Sequence, residues 1–334
     1  MPAGFLTSRP LGSTGLDVSA MSLGSWRTYE RLPAETGVAV LRAAWDEGIN
    51  FFDDARYDDE THAAPMRTGY SEVVFGRLFR AAGVPRDQAV VANKLWWEFW
   101  PEQSAAAELD ASLRRMEFDH VDLIYANEPP EALSLPEMVA VVGGLLDAGK
   151  ARAWGMVNWR AERAAQAVEA AAAQGLAPPC AIQLPYSLVR RAWAEDPVMA
   201  GALQASGAGM IASFCLAGGV LSGKYRPGAA GTAGAAGPGA GRAAGTLDDP
   251  RVTPAVAAAE ELAALAARLD TTPAALALAF PFTNPAVASV LFGATSADQV
   301  RANCAAVSLL GRLSPDETAA VRRVGLPADL PPDS

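Results

Sequence analysis

The chain is predicted to be an α/β protein, a single (β/α)8 TIM barrel with an N-terminal β-hairpin, and three observations predict it. Short apolar runs rich in Val, Ile and Phe recur at 20–23, 49–52, 89–92, 121–125, 153–157, 181–184, 209–214 and 289–292. Strands that are nearly apolar throughout, without polar alternation, belong to a sheet buried on both faces. Between most of them lie Ala- and Leu-rich stretches of helical period, as at 102–115, 136–148, 160–174 and 253–268. That alternation marks a parallel sheet covered by helices. Finally, there are eight such units, which favours the closed barrel over an open sheet. A chain of 334 residues fits one barrel, so 1–334 is read as a single domain.

The first segment departs from the alternation. Arg9-Pro-Leu-Gly-Ser-Thr-Gly15-Leu-Asp-Val-Ser has a Gly-containing turn between two short extended pieces. It reads as a β-hairpin ahead of the barrel, placed to plug its floor. Helix starts are marked further on. Thr272-Pro273 reads as an N-cap followed by Pro at the first helical position, and Ser314-Pro-Asp-Glu317 as a capping box. The interval before the eighth strand is long. In 228–245, 15 of 18 residues are Gly or Ala, a composition costly to order and with little to bury. Residues 226–250 are therefore expected to form a flexible Gly/Ala-rich loop within the barrel domain, since strand–helix units resume after it. It leaves the C-terminal face, where barrel active sites are built. It reads either as a lid over a ligand or as a tolerated low-complexity insertion.

Composition excludes several classes of function. The net charge is −10 and no long basic run occurs, which argues against a nucleic-acid partner or an anionic membrane surface. The N-terminus lacks the apolar stretch of a secretion signal, and no uncharged apolar run is long enough to span a bilayer. Cys180, Cys215 and Cys304 are far apart and odd in number, so no disulfide framework is expected. With two histidines, His62 and His120, and no CxxC, no dedicated metal site is expected either. The chain reads as a reduced, cytoplasmic, soluble protein acting on a small molecule, and composition leaves its oligomeric state open. There is no GxGxxG after a strand and no P-loop, so a dinucleotide would have to bind by another route.

Polar residues at the C-terminal ends of the expected strands carry the chemistry. The second strand runs into Asp53-Asp-Ala-Arg-Tyr57, the third ends in Asn93-Lys94, the fourth in Ala126-Asn127, and the sixth carries Gln183. An ammonium at Lys94 beside the Tyr57 phenol would favour phenolate and lower its pKa. Asp53 would hold the lysine charged and in place. The result is a general acid, which hydride transfer to a carbonyl carbon requires at the oxygen. Taken singly, the lysine is an ordinary surface residue, the aspartate a helix cap and the tyrosine a packed rim ring; it is their convergence that points to catalysis. The loop Leu95-Trp-Trp-Glu-Phe-Trp100 puts Trp96, Trp97 and Trp100 at the mouth as an apolar wall for a bulky carbonyl substrate, or else as a packed loop. Trp26 and Trp159 are placed to extend that wall. His62 reads as a solvated loop histidine or as a substitute proton donor, and His120 has no assigned role.

These motifs, nearly end to end, resemble the aldo-keto reductase family. Gly48-Ile-Asn-Phe-Phe-Asp53, Val91-Ala-Asn-Lys94, Leu109-Asp-Ala-Ser-Leu-Arg-Arg with Val121-Asp-Leu-Ile, Trp154-Gly-Met-Val-Asn158, Gln183-Leu-Pro-Tyr-Ser, Leu221-Ser-Gly-Lys-Tyr225 and Gly293-Ala-Thr-Ser-Ala-Asp-Gln299 carry it in order. The resemblance implies NADPH bound extended without a Rossmann fold, and carbonyl reduction by Asp, Tyr, Lys and His. Carried over, these four are Asp53, Tyr57, Lys94 and Asn127. Tyr57 lies one residue nearer Asp53 than in the family pattern, 58–68 then reads as an insertion, and Tyr70 is a fallback acid. Asn127 replaces the histidine. An amide orients a carbonyl and stabilises its oxyanion without supplying a proton.

The resemblance also implies a cofactor site. Asn158 and Gln183 match the pair that binds the nicotinamide carboxamide, although Val157 replaces the usual Ser. The stacking aromatic falls at Ser213, so either Phe214 takes that role or the ring is held differently. Leu216, Gly219, Leu221, Gly223 and Lys224 match the pyrophosphate loop, where backbone amides and a lysine would meet the phosphates. Thr295, Gln299 and Asn303 match positions around the adenosine end; the usual acidic residue is Ala302, and Arg301 is read as a solvated helix residue or as a 2′-phosphate contact. Tyr125-Ala-Asn127 before a Pro-containing turn, and Ser289-Val-Leu-Phe-Gly-Ala-Thr-Ser-Ala-Asp-Gln299, resemble the β-subunits of voltage-gated potassium channels, relatives that bind NADPH and reduce carbonyls slowly. That branch-level likeness implies no channel partner. Two functions follow from it: an NADPH-dependent carbonyl reductase, or an NADPH-binding redox sensor with vestigial catalysis.

Overall fold

The structure, a computed structural model, describes residues 7–57, 71–225, 253–309 and 311–326. The chain opens with β1 (Ser8–Leu11) and β2 (Leu16–Ser19), paired antiparallel with Leu11 opposite Leu16. Strand–helix units then follow. They are β3 (Met21–Gly24) and α1 (Ala34–Asp46), β4 (Phe51–Asp53) and α2 (Ser71–Ala82), β5 (Val90–Leu95) and α3 (Ala105–Met116), and β6 (Val121–Ala126) and α4 (Leu135–Asp147). The second half comprises β7 (Ala151–Val157), α5 (Ala161–Ala173), β8 (Ala181–Pro185), α6 (Pro197–Ser206), β9 (Gly209–Ser213), α7 (Thr253–Arg268), α8 (Pro273–Ala279), β10 (Val287–Phe292), α9 (Ala297–Cys304) and α10 (Pro315–Arg323). Strands β3 to β10 close into an eight-stranded parallel barrel, with β10 bonded to both β9 and β3. This is the (β/α)8 architecture expected from the alternation.

The strands are apolar on both faces because each face meets a different core. Phe52, Val91, Ile124, Trp154, Met156, Ile182 and Leu184 belong to the large core shared with the surrounding helices. Their sequence neighbours Phe51, Ala92, Leu123, Tyr125, Ala153 and Ala181, with Ile211 of β9, form a second, interior cluster. Successive residues of a strand point to opposite faces, so this split follows from the pleat. Leu11, Leu16 and Val18 of the hairpin join the interior cluster and are at most 2% exposed. Burying each contributes about 1.5–3 kcal/mol, whereas an isolated two-stranded hairpin is marginal. The hairpin therefore plugs the floor of the barrel, as its place in the chain implies. Asn50 fastens it, accepting from the Ser19 amide at 2.8 Å and donating to the Asp17 carbonyl at 2.8 Å. The strand expected at 49–52 is paired in register from Phe51, and the Asn50 carbonyl accepts from the Val90 amide at 2.7 Å.

Local signals place the helices. Thr272 caps α8 with Pro at the first turn, and Ser314 with Glu317 forms a reciprocal capping box on α10. A second capping box, Ser134 with Glu137, starts α4. At the floor, buried Asp122 accepts from Arg86 and the Val91 amide on one oxygen and from Arg152 on the other. One carboxylate thus ties β5, β6 and β7 together at the end opposite the mouth. No single helix among the described residues is long and apolar enough to cross a membrane. The expected insertion at 58–68 with His62, the fallback acid Tyr70, and the expected Gly/Ala-rich loop fall outside the described residues.

Candidate active site

The pleat that builds the interior core also aims the chemistry. Phe51 and Asp53 share one face of β4, Ala92 and Lys94 one face of β5, and Ala181 and Gln183 one face of β8. The apolar member of each pair lies in the interior cluster, and the polar member stands one layer higher, toward the mouth. Asp53, Lys94 and Gln183 are each at most 4% exposed. Lys94 makes a buried ion pair to Oδ1 of Asp53. Gln183 donates Nε2 to Oδ2 of the same carboxylate at 2.9 Å. Asp53 is thus held from two directions, and its orientation is fixed.

Tyr57 leaves the end of β4 in an extended loop, its amide donating to the Ala55 carbonyl at 2.8 Å and to Ser71 Oγ at 3.2 Å. Ser71, the first residue of α2, in turn donates to the Ala55 carbonyl at 2.6 Å. This short brace returns the half-buried Tyr57 ring over Lys94, whose Nζ lies 5.6 Å from the ring centroid and within hydrogen-bonding reach of the phenol oxygen. The three residues singled out from the sequence therefore converge.

Their electrostatics correct one expectation. Burial is the largest influence on Tyr57 and raises its pKa; Lys94 opposes it, Asp53 adds to it, and the phenol settles at about 12. The lysine acts in the expected direction, but desolvation of the phenolate outweighs it. For Lys94, burial favours the neutral amine, yet Asp53 and then Tyr57 overcome it and the ammonium is held above the ordinary lysine value. Both shifts favour a charged lysine beside a protonated phenol.

Asn127 directly follows β6. Its side-chain amide donates to the Leu95 carbonyl at 2.9 Å, and its backbone amide donates to the same oxygen at 3.0 Å. One N–H of the side chain is engaged there; an amide has a second, and the residue is half-buried at the rim.

The aromatic wall differs from expectation. Trp96 packs edge-on against Tyr57 at 5.9 Å, Trp26 lies 6.4 Å from Tyr57 on another side, and Phe214 meets Trp26 at 5.3 Å. These four rings form an arc across the mouth. Trp97 does not belong to it: the indole is 4% exposed in the outer core, its N–H donates to the Asn127 carbonyl at 2.8 Å, and its backbone is left-handed at φ 62°, which turns it away from the next residue. Trp100 packs edge-on against Trp97 at 6.0 Å and also joins that core. Trp159 is wholly buried with its N–H on the Ala126 carbonyl. The wall is Trp26, Trp96 and Phe214, with Trp97, Trp100 and Trp159 as its support.

Residues matched to a cofactor gather around the same mouth. Asn158 is exposed, left-handed at φ 59°, and donates its backbone amide to the Gln183 carbonyl at 2.9 Å. Ser213 ends β9 and is buried, whereas Phe214 is left-handed at φ 55° and 43% exposed. The one-residue shift of the aromatic is thus accommodated by a backbone turn. Left-handed non-glycine residues occur in the loops leaving the strands, at Arg27, Trp97, Asn158, Phe214 and Ala217.

The turn at 216–224 is a tight 3-10 segment. The amides of Gly219 and Leu221 donate to the Leu216 carbonyl, and that of Gly223 to the Val220 carbonyl. Those three amides are engaged within the turn and are not turned outward as expected, and the Leu221 side chain is wholly buried in the core. What remains is Gly219 at φ 96°, whose added Cβ would lie 3.0 Å from Lys224 Nζ. A bare backbone crossed by an ammonium suits a diphosphate, so the residues fit a dinucleotide here. At the far end, Thr295 donates both backbone and hydroxyl hydrogens to Gln299 Oε1, at 2.9 and 3.1 Å. Asn303 is buried on α9. Arg301 is exposed and paired with Asp298 at 2.7 Å, which is the solvated helix arrangement.

Sequence reasoning missed several buried partners. Tyr125 lies beside Lys94 as its register partner on β6, with Nζ 5.7 Å from its ring centroid; its inward parity with Leu123 was a usable signal. Asp54 is wholly buried and bonded to Ser25, and Glu72 links Asn93 to Arg115 behind the lysine strand. The Asp54 and Glu72 arrangements depend on tertiary contacts that no local pattern encodes.

The molecule is a closed parallel barrel with a buried carboxylate–lysine pair and an overlying tyrosine at its C-terminal mouth, and its family match places it among the barrel oxidoreductases. The sequence profile of the Aldo/keto reductase family matches residues 20–325. The chain belongs to this family, whose members are generally NADP-dependent oxidoreductases. It is similar to proteins named probable voltage-gated potassium channel subunit beta from Arabidopsis thaliana and from Oryza sativa subsp. japonica. Identity is 30% in each, over 91% of this chain and 92% of the Arabidopsis protein, and over 92% of both this chain and the rice protein. A similarly named Schizosaccharomyces pombe protein is 30% identical over 92% of this chain and 90% of its own length.

Proposed function

We propose that this chain reduces an aldehyde or ketone to an alcohol with NADPH, Tyr57 being the general acid. The observation that carries this reading is the Lys94 ammonium, pinned by Asp53 and lying against the Tyr57 phenol at the barrel mouth. The hydride would come from the reduced nicotinamide when it is bound. The chain's own residues do the rest. Trp26, Trp96 and Phe214 exclude water from the face of the carbonyl, and the free N–H of Asn127 is placed to steady its oxygen. Tyr57 donates the proton at that oxygen. Lys94 then stabilises the phenolate left behind, and Asp53 keeps the lysine in position. Gln183 and Asn158 would hold the carboxamide of the cofactor, Gly219 and Lys224 its diphosphate, and Thr295, Gln299 and Asn303 its adenosine end.

A second reading, an NADPH-binding redox sensor with vestigial turnover, is favoured by Asn127, which carries no titratable proton, and by the names of the relatives. Stopped-flow oxidation of bound NADPH by aromatic aldehydes separates the two. Turnover abolished in Tyr57→Phe, with nucleotide affinity kept, supports the reductase. Tight NADPH binding without oxidation by any carbonyl supports the sensor. Titrations with NADPH and NADH, read from Trp26 and Trp96 fluorescence, test the cofactor itself.

A further inference from the structure

We propose that Tyr125 is a positioning residue: its ring face forms the floor that locks the Lys94 ammonium beneath Tyr57. Lys94 and Tyr125 are direct register partners on β5 and β6. The Lys94 Nζ lies 5.7 Å from the Tyr125 centroid and 5.6 Å from that of Tyr57, so the cation stands between two aromatic rings. The Tyr125 distance falls within the range at which a desolvated cation is attracted to a ring face, whereas Tyr57 meets the ammonium through its hydroxyl. An ammonium has three donors. Asp53 takes one and the Tyr57 oxygen is in reach of another, which leaves the Tyr125 face for the third.

The neighbouring strand leaves room for this floor. Tyr125 is wholly buried in the interior cluster. Its ring crosses Gly155, where an added Cβ would lie 3.1 Å from two ring carbons and 2.5 Å from the Ala181 carbonyl oxygen. Any side chain at 155 would push the ring toward the lysine or out of the layer. The Tyr125 hydroxyl has no hydrogen-bond partner among the described residues. The part of the side chain that meets Lys94 is therefore its face. This distinguishes the ring from the hydroxyl as the active part.

The consequence for turnover rests on the role given to Lys94 above, so the deciding measurement is independent of activity. The chain has three lysines, Lys94, Lys150 and Lys224, so ε-13C-lysine labelling gives a spectrum assignable by single substitution. In the intact protein the Lys94 ε-methylene protons are expected to be shifted by both rings and resolved from one another, the sign of a locked side chain. Tyr125→Phe should keep that pattern. Tyr125→Leu should collapse it to one averaged signal; Tyr125→Met serves as a second variant if the smaller side chain unseats the barrel. With NADPH and 4-nitrobenzaldehyde, kcat in the Leu or Met variant should fall about tenfold with KM unchanged, and Phe should restore it. An ε-methylene that stays resolved without the ring overturns the proposal. So does a Phe variant that behaves like Leu. Absence of turnover in the unsubstituted protein would sink the reductase reading alone, leaving the resonance to decide this one.

Discussion

Gln183 donates its side-chain amide to Asp53 at 2.9 Å, although the family resemblance assigns that glutamine to the cofactor. The two roles are compatible because an amide has two N–H donors and an acceptor oxygen. Gln183 therefore connects the carboxylate under the lysine to the place where the nicotinamide carboxamide would lie. Gln183→Leu leaves Asp53 Oδ2 buried and unpaired. Hydrogen bonds to charged groups are worth about 1.5–3 kcal/mol, so kcat/KM should fall about 10- to 100-fold, with weakened nucleotide affinity as well. Steady-state kinetics with parallel NADPH titration checks this. A loss confined to nucleotide affinity would mean that the Asp53 contact has no part in turnover.

The phenol at about 12 makes a pH prediction opposite to the one the sequence encourages. A tyrosine acid works in its protonated form. If Lys94 lowered its pKa, activity would decline on the alkaline side near neutrality. With the pKa raised, the free protein keeps its acid through the ordinary range, and Lys94, raised as well, keeps its charge. The kcat/KM profile should be flat from about pH 6 to about pH 9. A descending limb centred near neutrality would show that the lysine dominates desolvation after all.

How much of this was legible in the sequence depends on which contacts each feature uses. The eight strands, the hairpin, and the Thr272 and Ser314 caps are local or periodic, and the residue pattern alone locates them. Asp53, Tyr57 and Lys94 were legible because parallel strands of a barrel deliver their C-terminal ends to one mouth. The arrangement of the tryptophans in the loop after Lys94 was not, since the left-handed turn at Trp97 reverses which indole faces the mouth. The balance on Tyr57 was also hidden, because a charge partner is visible in sequence and desolvation is not. The amides of the 216–224 turn followed the same logic: small residues suggested open donors, but the turn closes on itself.

Asn127 engages one amide hydrogen with the Leu95 carbonyl and has one left for a substrate oxygen. Removing a single oxyanion donor costs on the order of 10²-fold in kcat. Asn127→Ala should show a loss of that order, without altering the shape of the pH profile, because an amide does not titrate. Turnover unchanged in Asn127→Ala would remove this residue from the site and leave it as a brace between β5 and β6.

Asp54 carries the clearest stability consequence. Burial raises its pKa well above the carboxylate range, Glu72 adds to this, and Ser25 and Lys94 oppose it only in part. One of its oxygens has no partner among the described residues. The folded protein therefore holds more protons at this position than the unfolded chain, whose carboxyl titrates at about 3.9. Stability linked to such a group is full below the unfolded value and is lost as pH rises toward the folded one. Asp54→Asn has no proton to lose, so its Tm relative to the unsubstituted protein should climb as pH is raised from about 4 to about 8. Paired thermal melts across that range measure it. A difference in Tm that stays constant with pH would mean that Asp54 is ionised in the fold and satisfied by Ser25.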